Sequence, residues 1–197
     1  MPLHKSRDQL SALIESISRA VDAEVDLLQI REGDLSARDV LALADVAAEI
    51  ASGSSTRILV NDRADVAACA GVGVHLTTRS LNPCDIRAAC GSELLMGAST
   101  HSLEEAESAA LGGVDFVVFG PIFETESKLK YGPPVGLDAL GKVSCRLRIP
   151  VLALGGINVR NFRKALEAGA AGVAGISIFS EAGDLKRLVM EIKNSAG

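Results

Sequence analysis

The most informative part of the sequence reads Ile149-Pro-Val-Leu-Ala-Leu-Gly-Gly-Ile-Asn158 and then Ala168-Gly-Ala-Ala-Gly-Val-Ala-Gly-Ile-Ser177. Each stretch contains a short apolar run, which is typical of a strand buried on both faces. The runs end at Gly155-Gly156 and around Gly175-Ile176-Ser177, and a helical pattern follows each turn. Two such βα units in tandem predict the phosphate site of a (β/α)8 barrel, in which the loops after strands 7 and 8 bind phosphate through backbone N–H groups.

The glycines at these turns allow two interpretations. A Cβ would block the close approach of an anion to the backbone, which favours a phosphate site. Alternatively, the glycines serve only to form tight turns, and a single pair would favour that simpler role. Because small-residue turns end two consecutive units, we expect them to bind a phosphate group.

Composition favours one globular domain that binds a small molecule. Hydrophobic residues make up 48% and charged residues 23% of the chain, which is an ordinary balance for a single domain spanning residues 1–197. The net charge is −5, aromatic residues are 3% and tryptophan is absent, so we expect no nucleic-acid surface. No apolar run approaches the length of a membrane span. We therefore expect a small phosphorylated substrate, with no nucleic acid and no membrane as partners.

The cysteines and the N-terminus favour a cytoplasmic location. Cysteines at positions 69, 84, 90 and 145 show no C-x-x-C spacing, so reduced thiols are expected rather than a zinc site. The N-terminal residues have a basic start without the apolar segment of a signal peptide.

Strands and helices alternate along the whole chain, which predicts a parallel sheet with helices outside it. The first strong pattern is helical, over about residues 8–23, and seven strands follow instead of the eight of a closed barrel. Either Leu3-His4-Lys5 forms a degenerate first strand, or the barrel has an open seam. An open seam leaves edge strands that need a cover, which predicts either a homodimer or an N-terminal arm that covers the seam. The predicted strands are 25–31, 57–61, 72–76, 94–98, 115–119, 150–154 and 172–176.

Six motifs fall in order at the predicted strand ends and resemble the thiamine phosphate synthase family, which includes the thiazole tautomerase (TenI) branch. The resemblance implies a (β/α)8 barrel in which synthases join thiazole phosphate to hydroxymethylpyrimidine diphosphate and release diphosphate with Mg²⁺. Family members usually carry a Tyr-x-Ile-Thr-Asp strand before the first helix, and that strand is lacking here. The motifs are Asp26-Leu-Leu-Gln-Ile-Arg-Glu32, Val60-Asn-Asp-Arg63, Gly73-Val-His-Leu76, Gly97-Ala-Ser-Thr-His101, Phe119-Gly-Pro-Ile-Phe-Glu-Thr-Glu-Ser-Lys128 and Leu154-Gly-Gly-Ile157.

For the diphosphate, the resemblance implies contacts from Gln29, Arg31, Ser99 and Lys128, of which Arg31, Ser99 and Lys128 are candidate catalytic residues. Arginine suits this role because its planar fork donates two bonds to phosphate oxygens. Gly33 stands where the family has a lysine, so one cation is lost. A surface ion pair for Arg31 and a solvated side chain for Lys128 are the simpler alternatives.

For the metal, the resemblance implies that Asn61 and Asp62 bind diphosphate and Mg²⁺, with Asp62 as the metal ligand. The family uses a second aspartate after the Val-His-Leu strand, but Ser80 stands at that position. We therefore expect Mg²⁺ to bind weakly. Asp62 could otherwise cap the following helix.

For the thiazole phosphate, the resemblance implies hydroxyl contacts from Thr125 and Ser127 together with a backbone cradle. Pro121 stands where the tautomerase branch has its histidine, which counts against that reaction, and Glu124 is the one nearby acidic group that could replace the base. The cradle comprises Gly155, Gly156, Ile176 and Ser177.

Three further features have simpler interpretations. His75 lies in an apolar strand and is expected to be a satisfied core histidine, while His101 serves as readily in capping or loop packing as in catalysis. The loop 120–136 is longer than a usual βα turn and is typical of a lid. The synthase reaction is our first hypothesis, with a tautomerase and a non-catalytic binder or regulator as alternatives.

Overall fold

A computed structural model of the chain describes residues 7–125 and 133–196. Its sheet has seven strands, and each strand is parallel to the next one in the chain. This confirms the predicted strand count and the barrel-type α/β fold, since sequential parallel strands with outer helices form a curled barrel wall. The strands are β1 Leu27–Ile30, β2 Arg57–Asn61, β3 Gly73–Leu76, β4 Met96–Thr100, β5 Phe116–Phe119, β6 Val151–Leu154 and β7 Gly172–Ala174.

Nine helices lie in the described ranges, and the chain order begins with one of them. Side chains of Ser36, Asn82 and Ser102 accept backbone N–H bonds at three helix starts, as polar N-cap residues do. Among the described residues, no helix is both long and apolar enough to cross a membrane. The helices are α1 Arg7–Asp22, α2 Ala37–Ile50, α3 Ala64–Ala70, α4 Pro83–Cys90, α5 Leu103–Leu111, α6 Gly136–Arg146, α7 Phe162–Glu167, α8 Ser177–Ser180 and α9 Leu185–Ala196.

The sequence Ser102-Leu-Glu-Glu105, a serine followed three residues later by glutamate, predicts a capping box at the start of α5, and this box is present in a stretched form. The Ser102 hydroxyl accepts a 3.2 Å bond from the Glu105 N–H, as the sequence predicts. The Glu105 carboxylate reaches back one residue further than usual and accepts a 2.7 Å bond from the His101 N–H. The cap thereby fixes the backbone between β4 and α5.

Two apolar clusters lie on opposite sides of the sheet, because successive side chains of a strand point to opposite faces. The larger cluster fills the space between strands and helices. The smaller one fills the barrel lumen and has Leu59, Phe116 and Val118 at its buried centre. Gly97 pairs in register with Phe116, and this glycine leaves the room that the phenyl ring occupies.

The barrel wall is open between β1 and β7 in the part of the chain that the structure describes, since each of these strands pairs on one side only. The helical layer nevertheless continues across the opening, because α1 packs against both α2 and α9. Lys193 of α9 donates a 2.7 Å bond to the Glu24 carbonyl and forms a 2.9 Å ion pair with Asp26. The alternative first strand Leu3-His4-Lys5 lies outside the described residues.

Two boundaries differ from the sequence prediction near the glycine turns. The helix predicted from residue 158 begins at Phe162, because Asn158 and Asn161 fold the preceding residues into a turn. The strand predicted over 172–176 ends at Ala174, since the chain turns at Gly175 into the short helix α8, which periodicity did not predict.

Candidate active site

Four polar side chains occupy the lumen side of β1 to β4 near their C-terminal ends. The Gln29 side-chain amide donates a 2.8 Å hydrogen bond to Asn61 Oδ1. On the next two strands, His75 Nε2 and Ser99 Oγ lie 2.8 Å apart and share a hydrogen bond. The corresponding lumen positions of β5 to β7 are apolar, as at Val118. The upper lumen therefore has one polar wall and one apolar wall.

His75 is a neutral histidine within the polar wall. His75 is only 5% exposed, and this burial is the main cause that lowers its pKa from 6.5 to about 4. The positive charge of Arg31 contributes to the lowering of the pKa in the same direction. Its ring centroid is 6.1 Å from that of Phe116, so the apolar lumen cluster lies beside it. The residue is a hydrogen-bonded buried histidine, as the sequence suggests, and its partner Ser99 is a candidate catalytic residue.

Asp62 follows β2 and is held in an uncommon backbone conformation with φ +59°. Its N–H donates a 2.9 Å bond to the His75 carbonyl. Its carboxylate accepts a short hydrogen bond from the Ser80 hydroxyl, which in turn accepts a 2.7 Å bond from the Thr77 N–H. Asp62 does not cap α3, whose N-cap position is Arg63. The structure thus brings Asp62 and Ser80 together across two strand ends.

These residues do not fit a Mg²⁺ ion held by the protein itself. Mg²⁺ takes near-octahedral oxygen ligands, usually carboxylates combined with phosphate oxygens and waters. Here one oxygen of the single carboxylate is already bound by Ser80, and the neighbouring side-chain oxygens of Ser80 and Thr77 are neutral hydroxyls. Within residues 7–125 and 133–196, no group of three or more His, Cys, Asp or Glu side chains could hold a metal ion.

Two arginines flank Asp62 without a carboxylate partner in the described part of the chain. Arg31 is exposed just after β1, and Arg79 is exposed in the turn after β3. Arg63, by contrast, donates bonds of 2.8 and 2.6 Å to Asp65, and this pairing raises its pKa. Among the residues described around Asp62, Arg31 and Arg79 are therefore the cations available to bind an anion.

The glycine turn after β6 is shaped by its contacts with the loop after β5. Gly155 and Gly156 have φ values of +96° and +65°, and a Cβ on Gly155 would come within 2.5 Å of Pro121. A Cβ on Gly156 would come within 2.5 Å of the Glu124 carbonyl oxygen. Close packing of two loops is thus a reason for these glycines that the sequence did not reveal. It is compatible with phosphate binding by the same turn.

Asn161 holds this turn in place and was missed by the sequence analysis. Its side-chain nitrogen donates a 2.9 Å bond to the Gly156 carbonyl, and its oxygen accepts a 2.8 Å bond from the Asn158 N–H. An asparagine at the end of a glycine-rich turn is the sequence signal that could have found it. The remaining cradle residues, Ile176 and Ser177, are exposed at the start of α8, after the neighbouring strand β7.

The loop after β5 is only partly described. Thr125 is half-buried at the edge of the described range, whereas Ser127 and Lys128 lie outside it, as does the middle of the expected lid. His101 Nδ1 contacts the Gly120 carbonyl at the start of this loop. Because a carbonyl oxygen only accepts, Nδ1 carries the proton, and His101 joins the loops after β4 and β5.

Comparison with known proteins identifies the family. A family model described as thiamine monophosphate synthase matches residues 2–179. The chain belongs to this family. A protein of Geobacter sulfurreducens is 43% identical over 166 residues, covering 84% of this chain and 78% of its own length. A thiamine-phosphate synthase of Roseiflexus sp. is 36% identical over 167 residues, covering 84% of this chain and 71% of its own length.

A solved structure agrees with the family assignment. Thiamine phosphate pyrophosphorylase from Pyrococcus furiosus superposes with a TM-score of 0.83 at 28% identity, covering 96% of this chain and 91% of its own. The resemblance read from the six motifs is confirmed, and so is the barrel fold. A transferase-type enzyme of thiamine biosynthesis is the assignment that these relatives support.

Proposed function

We propose that the chain is a thiamine phosphate synthase, which joins thiazole phosphate to hydroxymethylpyrimidine diphosphate and releases diphosphate. The observation that carries the proposal is the two-walled upper lumen beside a glycine turn, in a chain whose family is thiamine monophosphate synthase. The polar wall suits the hydrogen-bonding edge of a heterocycle, and the turn suits a phosphate group.

The reaction places few demands on acid–base groups. The bond between the pyrimidine methylene carbon and the diphosphate oxygen breaks, and its electron pair leaves with the diphosphate. The thiazole nitrogen then donates its lone pair to the cationic methylene carbon. No strong base takes part, so a polar wall with a neutral His75 supports the reaction, because an uncharged histidine does not repel the cation.

The leaving diphosphate needs positive charge and hydrogen-bond donors. In the proposal, Arg31 and Lys128 supply charge and Ser99 supplies a hydroxyl, while Gln29 and Asn61 hold the pyrimidine diphosphate. His75 supports this role of Ser99, because its hydrogen bond fixes where the hydroxyl oxygen lies.

The thiazole phosphate is assigned to the opposite side of the barrel end. In the proposal, its phosphate lies on the turns after β6 and β7, with hydroxyl contacts from Thr125 and Ser127. The Asn161 bonds to the first turn support a preformed cradle, since they fix the backbone before any ligand arrives. The cradle residues are Gly155, Gly156, Ile176 and Ser177.

Mg²⁺, which the family implies, would supply charge neutralisation for the leaving diphosphate when bound. The described residues do not fit an ion held by the protein, so no step is assigned to it. Asp62 remains the residue that such an ion would meet first.

The alternative reactions have weaker support. A tautomerase needs an acid–base group where Pro121 stands, and Pro121 instead packs against Gly155. Glu124 is exposed and remains the only nearby carboxylate proposed for that role. A non-catalytic binder of thiazole phosphate would keep the cradle and need nothing else.

The test is the formation of thiamine phosphate from the two substrates, followed by chromatography. We expect product with the unmodified chain, a loss of about a hundredfold in kcat for Ser99→Ala, and no change for Arg148→Gln at the opposite end of the barrel. No product, combined with calorimetric binding of thiazole phosphate alone, would replace the synthase with one of the alternatives.

A further inference from the structure

The charges around Asp62 are unusual for a metal site, because the carboxylate is outnumbered by cations. Asp62 follows β2, Arg31 follows β1 and Arg79 lies in the turn after β3, so the two arginines come from the strands on either side. Neither arginine has a carboxylate partner among the described residues. The local formal charge of these three groups is therefore positive before any ligand binds.

Ser80 further withdraws Asp62 from metal binding. Its hydroxyl donates to Asp62 Oδ1, and its oxygen is itself held by the Thr77 N–H at 2.7 Å. The Thr77 hydroxyl lies 3.3 Å from the same oxygen and also accepts a 3.3 Å bond from the Arg79 N–H. An ion at Oδ1 would have to displace a hydrogen bond that the turn after β3 is folded to make.

We propose that this chain binds the diphosphate group with Arg31 and Arg79 in place of a protein-held Mg²⁺, and that Ser80 keeps Asp62 out of metal coordination. The proposal deepens the proposed function, on which its assignment of the ligand rests. Arginine suits the role because it is always charged and its fork matches phosphate oxygens. Any Mg²⁺ that arrives with a diphosphate ligand gains little from the protein.

In this proposal, Asp62 has a structural role, which is to connect the end of β2 to the turn after β3. Its carboxylate joins the turn after β3 to the end of β2, and its own N–H joins the end of β2 to the His75 carbonyl at 2.9 Å. The resulting connection sets the position of the turn that carries Arg79. The hydrogen bond from the Ser80 hydroxyl partly compensates the charge of the Asp62 carboxylate.

The first experiment measures inorganic diphosphate binding by calorimetry, with excess Mg²⁺ and with EDTA. We expect the two dissociation constants to agree within about threefold, and Arg79→Gln and Arg31→Gln each to weaken binding about tenfold, the value of one hydrogen bond to a charged group. Arg148→Gln, at the other end of the barrel, is the matched control and should bind as the unmodified chain does. Binding that requires Mg²⁺, or an Arg79→Gln variant that binds normally, overturns the proposal.

The second experiment measures Mn²⁺ binding by electron paramagnetic resonance, without any diphosphate. We expect the unmodified chain to bind Mn²⁺ only weakly and Ser80→Asp to bind it at least about tenfold more tightly, because a second carboxylate completes a hard-oxygen site. Ser80→Ala, which frees Asp62 Oδ1 without adding a ligand, should bind Mn²⁺ more tightly than the unmodified chain and less tightly than Ser80→Asp, and it also shows that the turn tolerates substitution. Tight Mn²⁺ binding by the unmodified chain, or no gain in Ser80→Asp with native circular dichroism, contradicts the proposal.

These readouts separate the two proposals, since neither depends on turnover. Metal-independent diphosphate binding without thiamine phosphate formation would refute the synthase and leave the arginine site standing. Product formation together with strictly Mg²⁺-dependent diphosphate binding would refute the arginine site and leave the synthase standing.

Discussion

Adding one methyl group at Gly97 tests whether the lumen is packed as tightly as the structure shows. An alanine Cβ at this position would lie 2.2 Å from Phe116 Cζ and 2.5 Å from Cε2, well inside van der Waals contact. The ring has little room to move, because Phe116 is 5% exposed and Leu59 and Val118 are buried beside it. Overpacking of this kind costs about 1–3 kcal/mol, so we expect Gly97→Ala to lower the free energy of unfolding by about 2 kcal/mol.

The assay is urea denaturation followed by circular dichroism, with the midpoint and the slope m fitted separately. For a chain of this size, a loss of about 2 kcal/mol lowers the melting temperature by about 4–8 °C. Gly141→Ala is the matched control, since Gly141 lies inside α6 and its added Cβ meets only the Ala168 carbonyl oxygen at 3.4 Å. That variant should gain about 0.5–1 kcal/mol, the usual advantage of alanine over glycine in a helix.

A double variant makes the test specific. Gly97→Ala with Phe116→Leu places the new methyl group where the ring was, so the two losses should fall short of additivity by about 1 kcal/mol or more. A Gly97→Ala variant within about 0.5 kcal/mol of the unmodified chain at unchanged m would refute the packing argument. Additive losses in the double variant would refute the claim that the ring is the group displaced.

Three further predictions concern protonation, the glycine turn and assembly. Between pH 6.5 and about 4, His75 takes up a proton in the unfolded chain but not in the folded one, so the free energy of unfolding falls with acidification by up to about 3 kcal/mol. In urea titrations at several pH values, His75→Asn should lack this dependence of the unfolding free energy on pH. Asn161→Ala removes the 2.9 Å bond to the Gly156 carbonyl and should weaken thiazole phosphate binding about tenfold by calorimetry. If Asn158 variants and Asn161→Ala all bind thiazole phosphate with normal affinity, the result argues against a preformed cradle. The homodimer across the open seam stays a prediction, for which light scattering should give twice the 20.4 kDa chain mass, and a monomer at every concentration would contradict it.

The strand pattern was readable from the sequence because burial of both strand faces leaves continuous apolar runs. The run Arg57-Ile-Leu-Val-Asn61 matches β2 residue for residue, and the count of seven strands is confirmed. The resemblance placed Asp62 and Ser80 at the two positions of one metal site, and the structure brings them together because they follow the neighbouring parallel strands β2 and β3. Parallel strands bring such positions to one edge whatever the details of the loops.

Features that depend on distant neighbours were not readable. The lack of room for a side chain at Gly155 and Gly156 is due to Pro121 and Glu124, more than thirty residues earlier in the chain. The late start of α7 depends on side-chain bonds of Asn161 that compete with the helix for the same backbone. Apolar periodicity records which face is buried, but it carries no information about these local competitors.

Side chains along β1 to β4 alternate between the outer face and the lumen, so substitutions on the two faces should have different effects. Outward positions such as Val60 and Val74 belong to the large cluster that supports the helices, so changes there alter stability first. The lumen positions at the strand ends, such as Gln29 and Asn61, are exposed or half-buried and contribute little apolar burial. A mutational scan should therefore find variants that fold poorly at the outward positions and at deep lumen positions such as Leu59 and Gly97, and variants that fold well but bind a different molecule at the lumen positions of the strand ends. A new specificity can arise in this barrel by changing the lumen residues at the strand ends while the rest of the wall stays as it is.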